Sequence, residues 1–238
     1  MTVDITSLKR QNASRFAKAK IIRSGFEPVA KRLVATKSRY QTVETKTGVP
    51  WAFIAVAHER ESSQNFNTQL GQGDPLDRVS VHVPAGRGPF KTWEDSAVDA
   101  LVNCSPFAAR NRDWSIGGTL TMLEEYNGLG YAARGLPSPY VWSGTDQYRT
   151  GKFVRDGVFD PSAIDQQLGC AGLLISMMAL DPSIKFTSVG SQVSNPAPKP
   201  SPPTITTPKP SITHPADGSI GSSIASAISA IIALFKRK

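Results

Sequence analysis

The sequence predicts a mainly α-helical domain with a small β-hairpin, followed by a proline-rich linker and a C-terminal amphipathic helix. Apolar residues recur at helical spacing through most of residues 1–186, which indicates packed helices. Residues 187–217 are rich in Pro, Ser and Thr and cannot build a core, so we expect a disordered, extended linker. Residues 218–238 return to a helical repeat. A chain of 238 residues is long enough for one buried domain with appendages.

Capping residues and apolar spacing predict the first two helices. Ser7 is expected to cap a helix that runs towards Ser24. A second helix over residues 27–43 is predicted because its apolar residues recur at roughly helical spacing. These residues are Val29, Leu33, Val34 and Tyr40. Thr47-Gly48 then breaks the pattern.

The third helix is predicted to open at Pro50, because a proline in the first helical turn loses no hydrogen bond. Trp51, Ile54 and His58 fall on one face together with Ala55, so this face is expected to be buried. The apolar run ends in the polar cluster HERESSQN, and a glycine-rich loop follows. The helix therefore delivers charged side chains at its C-terminal end.

A strand or hairpin, three helices and one loop complete the predicted domain. Alternating Val79, Val81 and Val83 between glycines predict a short strand or hairpin. Thr92 with Asp95 three residues later predicts a capped helix over residues 92–102. Two more helices are predicted over residues 114–125, ended by Asn127-Gly128, and over residues 162–179. Between these two helices, an aromatic, turn-rich loop is expected over residues 131–153.

The net charge of +8 calls for an anionic partner or surface. A carboxylated cell-wall polymer, an anionic membrane and nucleic acid all meet this requirement. Many basic residues lie early in the chain and alternate with apolar ones, which is typical of the solvated face of a helix. Only Phe16, Phe26 and Tyr40 are interleaved with them, so the sequence predicts no nucleic-acid partner.

Two cysteines, Cys104 and Cys170, are too few for a disulfide framework. Both lie in apolar surroundings, which favours buried free thiols, with a single bridge formed outside the cytoplasm as the alternative. The N-terminal residues are polar and lack the apolar core of a signal peptide. We therefore expect synthesis in the cytoplasm and, for any action on the cell wall, another exit route.

The C-terminal segment has an uncharged apolar stretch over residues 218–235, with three basic residues after it. Its 18 residues are borderline for a membrane span, which needs about 20 residues, and its serines and glycines weaken that interpretation. An interfacial amphipathic helix with a basic tip fits better. The alternative is a helix that packs on the main domain or self-associates.

The pair Glu61-Ser62 lies where the apolar helix gives way to the polar loop. A carboxyl group that is half-buried at such a point acquires a raised pKa and can serve as a general acid. Glu59 is the competitor, because two residues of separation place the two carboxyls on different helix faces. Spacing alone does not decide between them.

Glu61-Ser62 resembles the catalytic Glu-Ser of soluble lytic transglycosylases, goose-type lysozymes and the phage endolysins of lysozyme-like fold. The run Glu125 to Gly128 resembles the Tyr-Asn-x-Gly region of the transglycosylases, whose tyrosine lies near the catalytic glutamate. Further blocks, HVPAGRGPF, SPYVW and GKF among them, extend the similarity to phage and prophage lysozymes over residues 37–174. The Gly-Leu-Met-Gln element usual after Glu-Ser is absent, and LGQGDPL stands in its place.

The resemblance implies an α+β lysozyme-like fold and cleavage of the β-1,4 bond between N-acetylmuramic acid and N-acetylglucosamine. In that case Glu61 is the general acid. Asp74, in the glycine-rich loop, is the natural second carboxylate, and a water-sized gap between the two would make the enzyme an inverting hydrolase. The alternatives are that a group of the substrate assists, as in transglycosylases, and that Asp74 is only a turn residue before Pro75.

A cluster of polar and aromatic side chains is predicted to hold the glycan, because aromatic faces stack on sugar rings. The predicted substrate-binding residues are Ser62, Gln72, Tyr126, Asn127, Tyr131, Tyr140 and Trp142. The alternative is that two or three of the aromatics pin the loop to the core. No metal or cofactor is predicted: His58-Glu59 opens like a zinc-protease helix, but Ser62 stands where the second histidine belongs.

Three functions remain open from the sequence. The chain is expected to be an endolysin-like muramidase that acts as a monomer on peptidoglycan glycan strands, with anionic membrane contact through its tail. A lytic transglycosylase, which forms anhydro-muramic products, is the second interpretation. A non-catalytic protein that binds cell wall or membrane on a lysozyme-like scaffold is the third.

Overall fold

The computed structural model describes residues 2–155 and 157–186 of the chain. The predicted linker (187–217) and tail (218–238) lie outside the described residues. The described part is mainly α, as predicted, with one small antiparallel sheet. Its helices are α1 Ile5–Lys18, α2 Phe26–Ala35, α3 Lys37–Thr47, α4 Trp51–Ser62, α5 Trp93–Asn103, α6 Ile116–Asn127, α7 Pro139–Trp142 and α8 Cys170–Leu180, and its strands are β1 Lys152–Arg155 and β2 Val158–Asp160.

Helix α4 is the centre of the domain. All of its residues from Trp51 to His58 are buried, because α4 is apolar on every side rather than along one stripe. It packs against α3, α8, α2 and α6. The outer helices pair around it, with α1 on α6, α2 on α8 and α3 on α5. This arrangement holds the polar end of α4 at a fixed place beside α7 and α8.

The first two helices differ from their predicted bounds. Asp4, not Ser7, caps α1: its carboxylate accepts the Ser7 backbone N–H at 3.0 Å, so the helix begins one turn earlier and ends at Lys18. The helix predicted over residues 27–43 is two helices that meet at Thr36. The Thr36 hydroxyl donates to the carbonyl of Arg32, and the Thr36 backbone leaves the helical region.

The valine alternation at residues 79–83 does not form the predicted strand. Val79, Val81 and Val83 are exposed in an irregular loop, which is closed by polar contacts such as Ser80 N–H to the Arg87 carbonyl at 2.8 Å. The hairpin of the described residues is β1–β2 instead, which begins at the last two residues of the predicted aromatic loop and extends beyond it. Its antiparallel register pairs Phe153 with Phe159, and the rings of these two residues pack together. The strands are too short to show the apolar alternation from which a strand is predicted.

The later helices follow the capping signals more closely. Thr92 caps α5 by accepting the Asp95 backbone N–H at 3.1 Å, as predicted. Helix α6 begins two residues later than predicted, with Ser115 as its cap, and ends at Asn127 before Gly128. The last helix begins only at Cys170: residues 161–169 are irregular with several bends, and Gly169 immediately before the helix is extended.

Both cysteines are buried and unpaired, which confirms the prediction of free thiols. None of the helices within the described residues has the length and apolar character that a membrane crossing requires.

Candidate active site

Glu61 lies in the last turn of α4, where the chain leaves the core. The helix stops because Ser63 adopts a left-handed conformation with φ of 52° and its N–H bonds back to the Glu59 carbonyl at 2.9 Å. The two glutamates diverge as predicted. Glu59 is directed towards α2: burial raises its pKa, and the positive charge of Arg32 on that helix opposes the rise. Glu61 instead contacts Tyr140 on α7.

Tyr140 is held by the short helix α7, which begins at Pro139. Its ring is buried, and its hydroxyl donates a hydrogen bond to Glu61 Oε1 at 2.8 Å. These two residues are 79 positions apart in sequence. The structure thus brings the predicted general acid together with one of the predicted substrate-binding tyrosines.

Burial is the main influence on the acidity of Glu61. It raises the pKa of this carboxyl to about 7, while the Tyr140 hydrogen bond and the Arg60 charge pull in the opposite direction. Burial, with the nearby Glu61 charge, raises the pKa of both Tyr126 and Tyr140 well above 10. At neutral pH the tyrosines therefore keep their protons and Glu61 can be protonated or ionised.

Arg60, the neighbour of Glu61, belongs to a charge network that was not predicted from the sequence. Its Nη2 forms an ion pair with Asp165 Oδ2 at 2.9 Å, and its guanidinium lies 4.8 Å from the centre of the Tyr140 ring. Lys152 binds the other Asp165 oxygen at 2.8 Å. Burial alone would raise the pKa of Asp165, but Arg60 and Lys152 hold it below its usual value.

Asp74 is buried in the glycine-rich loop and is occupied by that loop. Its Oδ2 accepts the N–H groups of Val81 at 3.0 Å and His82 at 3.2 Å, and its Oδ1 contacts His82 Nδ1 at 2.8 Å. Among the described residues no hydrogen bond joins Asp74 to Glu61 or Tyr140. The geometry supports the turn-organising alternative, and a catalytic Asp74 stays a prediction.

Ser62 and Gln72 are also engaged with the protein itself. Ser62 is half-buried, and its hydroxyl donates back to the His58 carbonyl at 3.4 Å. Gln72 is buried, and its amide donates to the Pro84 carbonyl at 3.3 Å. Both help to shape the polar loop that follows α4.

The predicted substrate-binding residues around the aromatic loop divide into two that are half-buried, Tyr126 and Asn127, and others that are buried against the protein. Tyr126 and Asn127, at the end of α6, are half-buried, and the ring of Tyr126 packs on Phe53. Tyr131 is buried against Phe153, whose N–H its hydroxyl accepts at 2.9 Å.

Trp142 is completely buried in the core. Burial of Tyr131 and Trp142 supports the alternative that these aromatics pin their segments to the core, and their part in substrate binding stays a prediction.

His58 is a core residue. Its Nε2 lies 3.2 Å from the Asn65 carbonyl and therefore carries the proton, so its Nδ1 accepts the Tyr40 hydroxyl at 3.1 Å. Burial lowers the pKa of His58 to about 4, and the ring stays neutral. In the part of the chain that the structure describes, no group of three or more His, Cys, Asp or Glu side chains is placed to hold a metal ion.

Comparisons of this chain with protein-family models, with curated proteins and with solved structures found no match.

Proposed function

We propose that the protein is a peptidoglycan-cleaving muramidase in which Glu61 is the general acid. The observation that carries the proposal is the Glu61 carboxyl itself. Burial raises the pKa of this carboxyl to about 7. The Tyr140 hydroxyl donates a hydrogen bond to it at 2.8 Å and so holds it at the C-terminal end of α4. Glycoside hydrolysis requires a carboxyl that is still protonated near neutral pH beside the leaving oxygen.

The chemistry follows from the position of the proton. Protonated Glu61 donates to the glycosidic oxygen between N-acetylmuramic acid and N-acetylglucosamine as the bond to the anomeric carbon breaks. The carboxylate that results accepts the Tyr140 hydroxyl and lies near the Arg60 charge, both of which favour the ionised form. A water molecule then adds to the anomeric carbon, and the proton that the water loses restores the protonated form of Glu61. The site is therefore able to release the proton as well as to hold it.

The substrate class also suits the charge of the protein. The net charge of +8 favours a carboxylated polymer such as peptidoglycan. Half-buried Tyr126, which the Glu61 charge reaches, offers a contact beside the acid. The proposed tail contact with anionic membranes depends on residues 218–238. We propose that this contact brings the enzyme to the cell envelope.

A lytic transglycosylase is the second candidate, and the state of Asp74 favours it. The Asp74 carboxylate is already occupied by Val81 and His82, so it is poorly placed to activate a water molecule. Without a second carboxylate, groups of the substrate complete the reaction and leave an anhydro-muramic end.

The test is mass spectrometry of the fragments released from purified peptidoglycan by the wild type and by Glu61→Gln. We expect the variant to fold and to release fragments at least about a hundredfold more slowly, which is the usual contribution of a general acid. Glu59→Gln is the matched control, since it makes the same change on the same helix, and it should retain most of the activity.

The nature of the ends separates the two candidates. Reducing muramic ends support the muramidase, and anhydro-muramic ends support the transglycosylase. Full activity in Glu61→Gln would refute Glu61 as the acid. A wild type that binds peptidoglycan but releases no fragments would replace the enzyme with the non-catalytic wall-binding function.

A further inference from the structure

Three charged side chains, two of them buried and one partly exposed, form a continuous network beside the candidate acid. Lys152 on β1 contacts one oxygen of Asp165, and Arg60 on α4 contacts the other, at 2.8 and 2.9 Å. The side chains of Arg60 and Asp165 are only 6% and 2% exposed, whereas Lys152 is 31% exposed. Lys152 therefore connects the buried pair to the surface.

The network ends at Glu61. The Arg60 guanidinium lies over the Tyr140 ring at 4.8 Å, and the hydroxyl of that ring donates to Glu61 at 2.8 Å. A cation over an aromatic face restricts the position of both groups. The direction of the Tyr140 hydroxyl is thus tied to where Arg60 is held.

The backbone N–H, the backbone carbonyl and both carboxylate oxygens of Asp165 all have partners in the protein. Its backbone N–H donates to the Tyr148 hydroxyl at 3.1 Å, and its carbonyl accepts Arg23 at 3.0 Å and Ser143 at 2.9 Å. Removing two charges from water is costly, so a buried ion pair is weak evidence of a purely stabilising role. A fixed pair of this kind is suited to hold a neighbouring group in one place.

We propose that Asp165 and Lys152 are positioning residues, which hold Arg60 against Tyr140 and so set the orientation and the charge around Glu61. The proposal rests on the proposed function of Glu61 as general acid. It assigns to Lys152 and Asp165, which are distant from Glu61 in the sequence, an effect on the acid that requires no contact with the substrate.

The charges of the two residues predict effects of opposite sign. Loss of the Lys152 charge leaves the site more negative and raises the pKa of Glu61, whereas loss of the Asp165 charge leaves Arg60 uncompensated and lowers it. Within the described residues the Glu61 charge acts on three titratable groups of neighbouring helices, Tyr126 on α6, Tyr140 on α7 and Cys170 on α8. Burial raises the pKa of each, so they stay neutral and do not mask the effect.

The experiment compares Lys152→Met, Asp165→Asn and Lys152→Arg in the full chain. The pKa of Glu61 is read by NMR of its ¹³C-labelled carboxyl, assigned by the signal that disappears in Glu61→Gln. The pH profile of fragment release is measured in parallel. Lys37→Met is the matched control, because Lys37 also forms a partly exposed ion pair, with Asp181, at 26% exposure.

We expect Lys152→Met to raise the Glu61 midpoint by about half a pH unit and Asp165→Asn to lower it by at least as much. Lys152→Arg should restore the wild-type midpoint, and Lys37→Met should not change it. Shifts of the same sign in both variants, or no shift in folded Lys152→Met, would overturn the proposal.

The NMR readout keeps two failures apart. If opposite shifts occur but the wild type releases no fragments, the coupling stands and the proposed function fails. If Asp165→Asn does not fold, the variant of the partly exposed Lys152 still tests the proposal. An unchanged Glu61 midpoint in Lys152→Met refutes the coupling, and a raised midpoint supports it.

Discussion

At the scale of single residues, the properties of Glu61 come from where α4 ends. Glu59 and Glu61 lie in the same helix turn, but of the two only Glu61 accepts a hydrogen bond from the buried Tyr140 hydroxyl. Burial raises the pKa of Glu61 to about 7, and the Tyr140 hydrogen bond limits that rise. The same hydroxyl therefore positions the acid and tunes it, and these two effects can be separated by measurement.

Tyr140→Phe removes this hydroxyl and keeps the ring. We expect the maximal rate of fragment release to fall roughly tenfold, the cost of losing one hydrogen bond to a charged group. Because the hydroxyl lowers the pKa of Glu61, its loss raises that pKa, and the alkaline limb of the pH–rate profile moves to higher pH.

Tyr40→Phe is the control for this change. Tyr40 is also buried and bonds a titratable side chain, His58, at 3.1 Å, and within the described residues its hydroxyl makes no hydrogen bond to Glu61. Its replacement should leave the alkaline limb in place. A limb that stays unchanged in Tyr140→Phe would show that this hydroxyl does not act on the acid.

At the scale of secondary-structure elements, the close approach of α1 to α6 sets the position of the helix that carries Tyr126. Gly117 makes this approach possible, because a Cβ at that position would overlap the backbone carbonyl oxygen of Lys9. Backbone cannot move aside as a flexible side chain can. The glycine is therefore required by packing rather than by the local conformation of α6.

Gly117→Ala tests this packing. Despite the better helix propensity of alanine, we expect a loss of about 1 to 3 kcal/mol in the free energy of unfolding, since α1 must move outward. Urea unfolding measures the change. Ser14→Ala, on the exposed face of α1, should stay within about 0.5 kcal/mol of wild type. Equal stability of Gly117→Ala and wild type would contradict the close contact.

The elements were predictable where a local signal decides them. Thr92 and Asp95 form their cap within one turn, so the sequence alone predicts α5. The break at Thr36 was missed because the apolar spacing continues through it. Val79, Val81 and Val83 suggested a strand because they alternate, yet a strand needs a partner to bond, and the Asp74 carboxylate binds this backbone instead.

At the scale of the whole molecule, the candidate site depends on contacts between distant parts of the chain. Glu61 and Tyr140 are 79 residues apart, and Arg60 and Asp165 are 105 apart. The sequence identified Glu61 and Tyr140 as separate candidates, but not their contact. It contained no signal for Asp165, because a single aspartate in a loop looks the same whether it binds water or a buried arginine.

Buried titratable groups also make the stability of the whole domain depend on pH. Burial raises the pKa of both Glu61 and Glu124 to about 7, so the stability that they contribute is present below pH 4.5 and is lost as pH rises through 7. His58 has the opposite effect. Its lowered pKa, about 4, means that its contribution is present above pH 6.5 and is lost as pH falls through 4.

Glu124→Gln separates these contributions, because Glu124 is 2% exposed and takes no part in the proposed chemistry. We expect the variant to be more stable than wild type by about 2 to 3 kcal/mol at pH 8, where wild type must ionise a buried carboxyl. The advantage should shrink towards zero near pH 4.5. Urea unfolding at both pH values measures it, with half-buried Glu125→Gln as the control that should change less. An advantage that is equal at both pH values would mean that Glu124 affects stability through packing alone.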